Sequence, residues 1–212
     1  MTEMKTNGTQ TMSPKVFGSL LQFIDERLEK QHRPDSELVN EHNADPKNAD
    51  WKLDSDAPFE QADVVHDLLA FLAEQMIALN KQRQKKMKAF LQWLEAELEI
   101  APDAKGHEGI EALTGKTRLK DYLGNYQKGE DALSFDNLWE ILRKNKRRIG
   151  RSLSPAFMEE VHAAYEHSLA GLLPIKETLR LTDSLIDQIV YRLYGLTKEE
   201  VKIIEGRSFV EE

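Results

Sequence analysis

The chain has 212 residues, 40% hydrophobic and 31% charged. That is length enough for one domain with a real core under a generous polar surface, and too little for two large enzyme modules. Eleven glycines and seven prolines leave few breakpoints for the many short turns of a sandwich or barrel, so the composition argues against an all-β fold. The absence of cysteine excludes disulfides and thiolate zinc sites. With no apolar leader and no run of membrane length, the expected setting is the cytoplasm, away from membranes.

A formal net charge of −8 argues against blanket affinity for nucleic acid, but the charge is uneven. From His32 to Asp63 acids outnumber bases about three to one, and that stretch holds most of the excess. Two basic clusters stand elsewhere. Lys81, Arg83, Lys85, Lys86 and Lys88 form one, and Arg143, Lys144, Lys146, Arg147, Arg148 and Arg151 form the other.

Residues 1–12 are polar and aperiodic, as expected of a frayed end. Ser13 before Pro14 is a helix start, since the hydroxyl can cap an orphan amide and proline fits the first helical position. Val16, Phe17, Leu20, Leu21, Ile24 and Leu28 follow at helical spacing, predicting a helix over 13–31. Residues 32–60, rich in Asp, Asn and Pro, read as an acidic linker with Trp51, Leu53 and Phe59 as docking points. From Gln61 to Leu98 runs the strongest helical pattern. Val65, Leu69, Leu72, Met76 and Leu79 alternate steps of four and three, Arg83 interrupts the stripe, and Met87, Phe90, Leu91, Leu94 and Leu98 resume it. Such a helix is roughly 55 Å long.

Glycines punctuate the middle and leave room for a short helix around Thr117–Leu123. Ser134 caps a predicted helix carrying Phe135, Leu138, Trp139, Ile141 and Leu142, which enters the second basic cluster and stops at Gly150. Ser154 and Pro155 open another, with Phe157, Val161, Tyr165 and Leu169, which Pro174 is expected to kink or end. Beyond it Ile175, Leu179, Thr182, Ile186, Ile189 and Leu193 again alternate four and three until Gly195. Thr197 and Glu200 form a capping box for a last turn through Ile203 and Ile204. The expected fold is all-α: an elongated bundle over 61–206, with a long antiparallel, coiled-coil-like helix pair and a tail at 207–212.

Chemistry-bearing constellations are sparse. Glu159 with His162 fits one Glu-x-x-His step of a di-iron bundle, and Asp63 with His66 is a looser second, but no remaining ligand pair completes the set. Pro34, Asp35, Asp45 and Lys47 match a magnesium nuclease signature on a segment too polar and proline-broken to aim them. No glycine-rich phosphate loop, nucleophile elbow or dinucleotide fingerprint is present, so no cofactor is expected. The basic clusters are the remaining candidates: they could pair with phosphates without reading bases, or be solvated faces balanced by acids. Asp183 and Asp187 read as a solvated face, and Tyr191 and Tyr194 as packing in the bundle or on a partner.

Three runs resemble a known family: DVVHDLLAFLAEQMIALNKQRQ from Asp63, LTGKTRLKDY from Leu113, and TDSLIDQIVYRLYGLTKEEVKIIEG from Thr182. They are similar to the carboxyl-terminal helical region of type IIG restriction-modification proteins and related adenine-specific DNA methyltransferases. The closing run carries the resemblance furthest, through Ile186, Asp187, Val190, Tyr191, Leu193, Tyr194, Gly195, Leu196, Thr197, Glu199 and Glu200. The resemblance implies a helical part that braces catalytic and recognition modules on DNA. The methylation motif Asn-Pro-Pro-Tyr and a loop for S-adenosylmethionine are absent. The expectation is therefore a non-catalytic accessory module, docking on a methyltransferase or restriction subunit and touching the DNA backbone. A metal-dependent enzyme and a self-associating coiled coil without a nucleic-acid role are the alternatives.

Overall fold

Two serine–proline pairs begin two of the helices for the same local reason. Ser13 Oγ accepts from the Val16 amide at 3.3 Å, and Ser154 Oγ from the Phe157 amide at 3.2 Å, while each proline stands where no donor is needed. The computed structural model describes residues 12–28 and 62–206. Its helices in chain order are α1 (Pro14–Leu28), α2 (Ala62–Leu98), a 3₁₀ turn (Gly109–Ala112), α3 (Lys116–Lys120), α4 (Phe135–Lys144), α5 (Pro155–Leu193) and α6 (Lys198–Ile204). The fold is all-α, and the only extended pairing among the described residues is an isolated bridge between Ile100 and Ile149. The expected acidic linker, the carboxyl-terminal tail and residues 1–11 of the expected frayed end lie outside the described residues.

The chain divides into two compact units. In the first, residues 76–180, α2 and α5 pack side by side and antiparallel. Phe90 meets Tyr165 with ring centroids 5.6 Å apart, and Arg151 just before α5 pairs with Glu97 near the end of α2. Phe90, Leu94 and Leu98 from α2 and Phe157, Val161, Tyr165 and Leu172 from α5 are buried together. The 3₁₀ turn, α3 with the turn after it, and α4 close over them with Ile110, Leu119, Tyr122, Leu138 and Leu142. Burying an aliphatic or aromatic side chain of this kind contributes about 1.5–3 kcal/mol.

The second unit gathers 12–75 and 181–212, of which 12–28, 62–75 and 181–206 are described. Ile24 of α1, Val65 and Leu72 of α2, and Leu185 and Ile189 of α5 form its core. Arg192 Nε donates to Asp25 Oδ1 at 2.6 Å, tying α5 to α1.

The predicted stops at the chain's carboxyl side are local and appear as such. Gly195, at φ 61°, closes α5 with bonds from its own amide to the Arg192 carbonyl at 3.1 Å and from the Leu196 amide to the Tyr191 carbonyl at 2.9 Å, a Schellman end. Thr197 and Glu200 make the reciprocal capping box of α6.

Two predicted boundaries are corrected. Of the two outcomes expected at Pro174, a kink or an end, the end is ruled out, because α5 continues through it to Leu193. One missing N–H removes a single rung from a long ladder whose two sides are already buried at Leu172 and Leu179, and that packing outweighs the local penalty. Helix α4 stops at Lys144 rather than Gly150, for a reason that lies in Asn145 and is described below.

At the end of α2 the backbone turns left-handed at Glu99, φ 49°, where a glycine would be unstrained. Glu99→Gly is expected to stabilise the protein by about 1 kcal/mol, read as a rise in Tm of roughly 2–4 °C for a chain of this size. An unchanged or lower Tm would show that the Glu99 side chain contributes more than its backbone costs.

Candidate functional site

The second basic cluster does not lie on one helix. Arg143 and Lys144 occupy the last turn of α4, and Lys146, Arg147 and Arg148 fall in the turn that follows. The turn is fixed by Asn145, which is only 5% exposed. Its Oδ1 accepts from the Thr114 amide at 2.9 Å, and its Nδ2 donates to the carbonyls of Thr114 at 2.9 Å and Ile141 at 2.8 Å. The Ile141 carbonyl that an α-helical Asn145 N–H would use is taken by its own Nδ2, and the N–H bonds the Leu142 carbonyl at 3.0 Å instead, which tightens the last turn and ends the helix.

The cluster then separates into engaged and unengaged charges. Lys144 pairs with Glu140 at 2.7 Å. That contact holds the Glu140 carboxyl below its usual range, with smaller contributions from Arg118 and Arg143. Arg151 bridges Glu97 and Glu160, and its guanidinium lies 4.2 Å from the Phe157 ring centroid. Arg148 donates to the Pro102 carbonyl at 3.2 Å. Arg143, Lys146 and Arg147 are exposed and form no ion pair among the described residues, Arg143 acting on Glu140 only at longer range. Only the Lys144–Glu140 pair, four residues apart on α4, is legible as spacing; the partners of Arg148 and Arg151 come from α2, from α5 and from the loop after α2.

The first cluster is divided too. Lys81, Lys85, Lys86 and Lys88 are exposed on α2, whereas Arg83 is half-buried, with its guanidinium 5.7 Å from the Tyr126 ring centroid. Nearby, Glu111 takes both Lys120 and Lys116 as partners, and those contacts hold its carboxyl well below the ordinary range.

The other sequence candidates are not drawn together. His162 sits on the Phe135 ring, centroids 4.2 Å apart, and faces Glu166 at 3.8 Å. His66 is exposed beside Asp67 at 3.6 Å. No group of three or more His, Asp or Glu able to hold a metal ion is assembled among the described residues. The nuclease-like Pro34, Asp35, Asp45 and Lys47 lie outside them. Asp187 is exposed, and its carboxyl is raised by burial, with Asp183 and Glu205 adding to the shift. Tyr191 is half-buried, while Tyr194 is 78% exposed and packs in no core. No described helix is long and apolar enough to cross a membrane.

These observations define a class, an all-α protein of paired long helices bearing a fixed basic turn. The chain belongs to the family described as Domain of unknown function (DUF8810), whose family model matches residues 65–190, more than half of the chain. Comparison with curated proteins and with solved structures finds no match.

Proposed function

We propose that this chain is a non-catalytic helical accessory module of a DNA restriction-modification system, which docks on a methyltransferase or nuclease subunit and contacts DNA phosphates without reading sequence. The observation that carries the phosphate contact is the turn after α4, where Lys146 and Arg147 stand exposed with no ion pair among the described residues while Lys144 and Arg151 on either side are tied to acids. A cation already paired gains little from a phosphate, and an unpaired one on a fixed turn is free to displace counterions. The restriction-modification setting rests on the resemblance of the three sequence runs. Docking is supported by exposed apolar side chains, Tyr194, Ile203 and Ile204 at one end of the sequence and Phe71 and Ile77 on α2.

The experiment is charge reversal at the turn. Lys146→Glu with Arg147→Glu should abolish retention of a fluorescent duplex at low salt and flatten the logarithmic salt dependence by about one unit for each phosphate lost. Lys144→Glu, which removes a lysine already engaged by Glu140, should change retention far less. Equal losses in the two variants, or none in either, would overturn the assignment.

A further inference from the structure

Helix α2 carries no acid between Glu74 and Glu95, a run of 20 residues that holds five cations in a chain where acids outnumber bases 37 to 29. A solvated helical face is ordinarily laced with both signs of charge. The structure divides these five cations. Arg83 is half-buried with its guanidinium over the Tyr126 ring, the Lys86 ammonium lies against Gly171 of α5, and Lys88 enters a groove that Glu111 and Asp121 also line. Lys81 and Lys85 remain, exposed and forming no ion pair among the described residues. They stand four apart on one face, a like-charge pair that destabilises a helix unless an anion neutralises it.

That face leads toward the basic turn. Glu95, seven residues past Lys88 on the same side of α2, accepts from the Ile110 amide at 2.7 Å, and Thr114 in that segment is bonded to Asn145 at the base of the turn. Along the helix axis Lys85 lies about 20 Å from Leu98, whose carbonyl accepts from the Gly150 amide at 3.1 Å just past the turn. The groove between is balanced, with Arg83, Lys88 and Lys120 against Glu95, Glu111 and Asp121. Two cationic points about 20 Å apart, with a neutral stretch between them, are out of reach of one small anion. A duplex, with phosphates spaced about 3.4 Å along each strand, spans them in about six base pairs.

We infer that Lys81 and Lys85 are a second phosphate contact, engaged together with Lys146 and Arg147 by one duplex, so that tight binding needs a duplex longer than about six base pairs. The inference rests on the phosphate reading of the turn and adds a length requirement to it. The probes are two fluorescent DNA hairpins with the same loop, one with a stem of about four base pairs, too short to bridge, and one of about fourteen. Lys81→Gln with Lys85→Gln should leave Tm unchanged, weaken the long stem at least about tenfold and lower its logarithmic salt slope by about two units. The short stem should bind this variant within about twofold of the parent protein. The inference fails if the long stem binds the variant as it binds the parent, or if both stems weaken equally. In either case the turn reading stands if Lys146→Glu with Arg147→Glu still abolishes retention. Retention of both stems undiminished in that charge-reversed variant removes the turn reading, and a parent protein that retains neither stem removes both.

Discussion

Tyr165→Ala is expected to destabilise the first unit by about 3–5 kcal/mol, a loss of roughly 10 °C or more in Tm for a chain of this size. Tyr165 is 1% exposed and meets two other buried rings, Phe90 and Tyr122, each at 5.6 Å between centroids, while Phe90 and Tyr122 approach to 5.1 Å. Truncation therefore removes the ring by which α5 meets α2 and the segment after α3, and the cavity cannot collapse without moving a long helix. Tyr165→Phe separates ring from hydroxyl. The hydroxyl donates to the Leu133 carbonyl, so its loss alone should cost about 1–2 kcal/mol.

The same hydroxyl predicts an alkaline limit. Burial pushes the Tyr165 phenol up from its ordinary value of 10.0, and burial raises Tyr122 against a smaller opposing hydrogen bond from Ser168. The folded protein thus keeps both protonated where the unfolded chain ionises. This contribution is complete below about pH 10 and is lost as pH rises through the raised folded values. Denaturant unfolding followed from pH 8 upward should show stability falling above pH 10, and Tyr165→Phe should blunt the fall. A fall equally steep in Tyr165→Phe would place the ionising group elsewhere.

What the sequence disclosed was whatever depends on near neighbours. Ser13, Ser134, Ser154, Gly195 and the Thr197–Glu200 pair act within about five residues of themselves, and each performs the predicted cap or stop. The stripes of α2 and α5 were equally visible, because burial on one side of a helix leaves a period. Pro174 left a kink or an end open, and the end is averted by the packing of Leu172 and Leu179, which the local preference of proline does not register. The basic clusters were visible as composition, yet which members are engaged depends on Glu97, Glu160 and Pro102, which no spacing connects to them. Arg83 was visible as an interruption of the stripe, and the Tyr126 ring its guanidinium lies over belongs to a distant loop that no spacing connects to it.

Asn145 was invisible for the same reason, and its replacement should have the next largest effect. Asn145→Ala removes three side-chain hydrogen bonds at once and leaves the Thr114 amide and the Thr114 and Ile141 carbonyls short of partners, at a cost of about 2–3 kcal/mol. Asn145→Asp should be worse. The carboxylate can still accept from the Thr114 amide, but it cannot donate to either carbonyl and sets a buried negative charge against both. Because the side chain anchors the turn bearing Lys146, Arg147 and Arg148, the alanine variant should also become cleavable by trypsin after Arg147 and Arg148 at temperatures where the helices remain intact by circular dichroism. Duplex retention should fall in parallel, without any change in charge. If trypsin resistance and Tm both match the parent protein, the amide clamp does not hold the turn. If the turn loosens while retention persists, the basic side chains need no fixed geometry, and the phosphate contact is then a matter of charge alone.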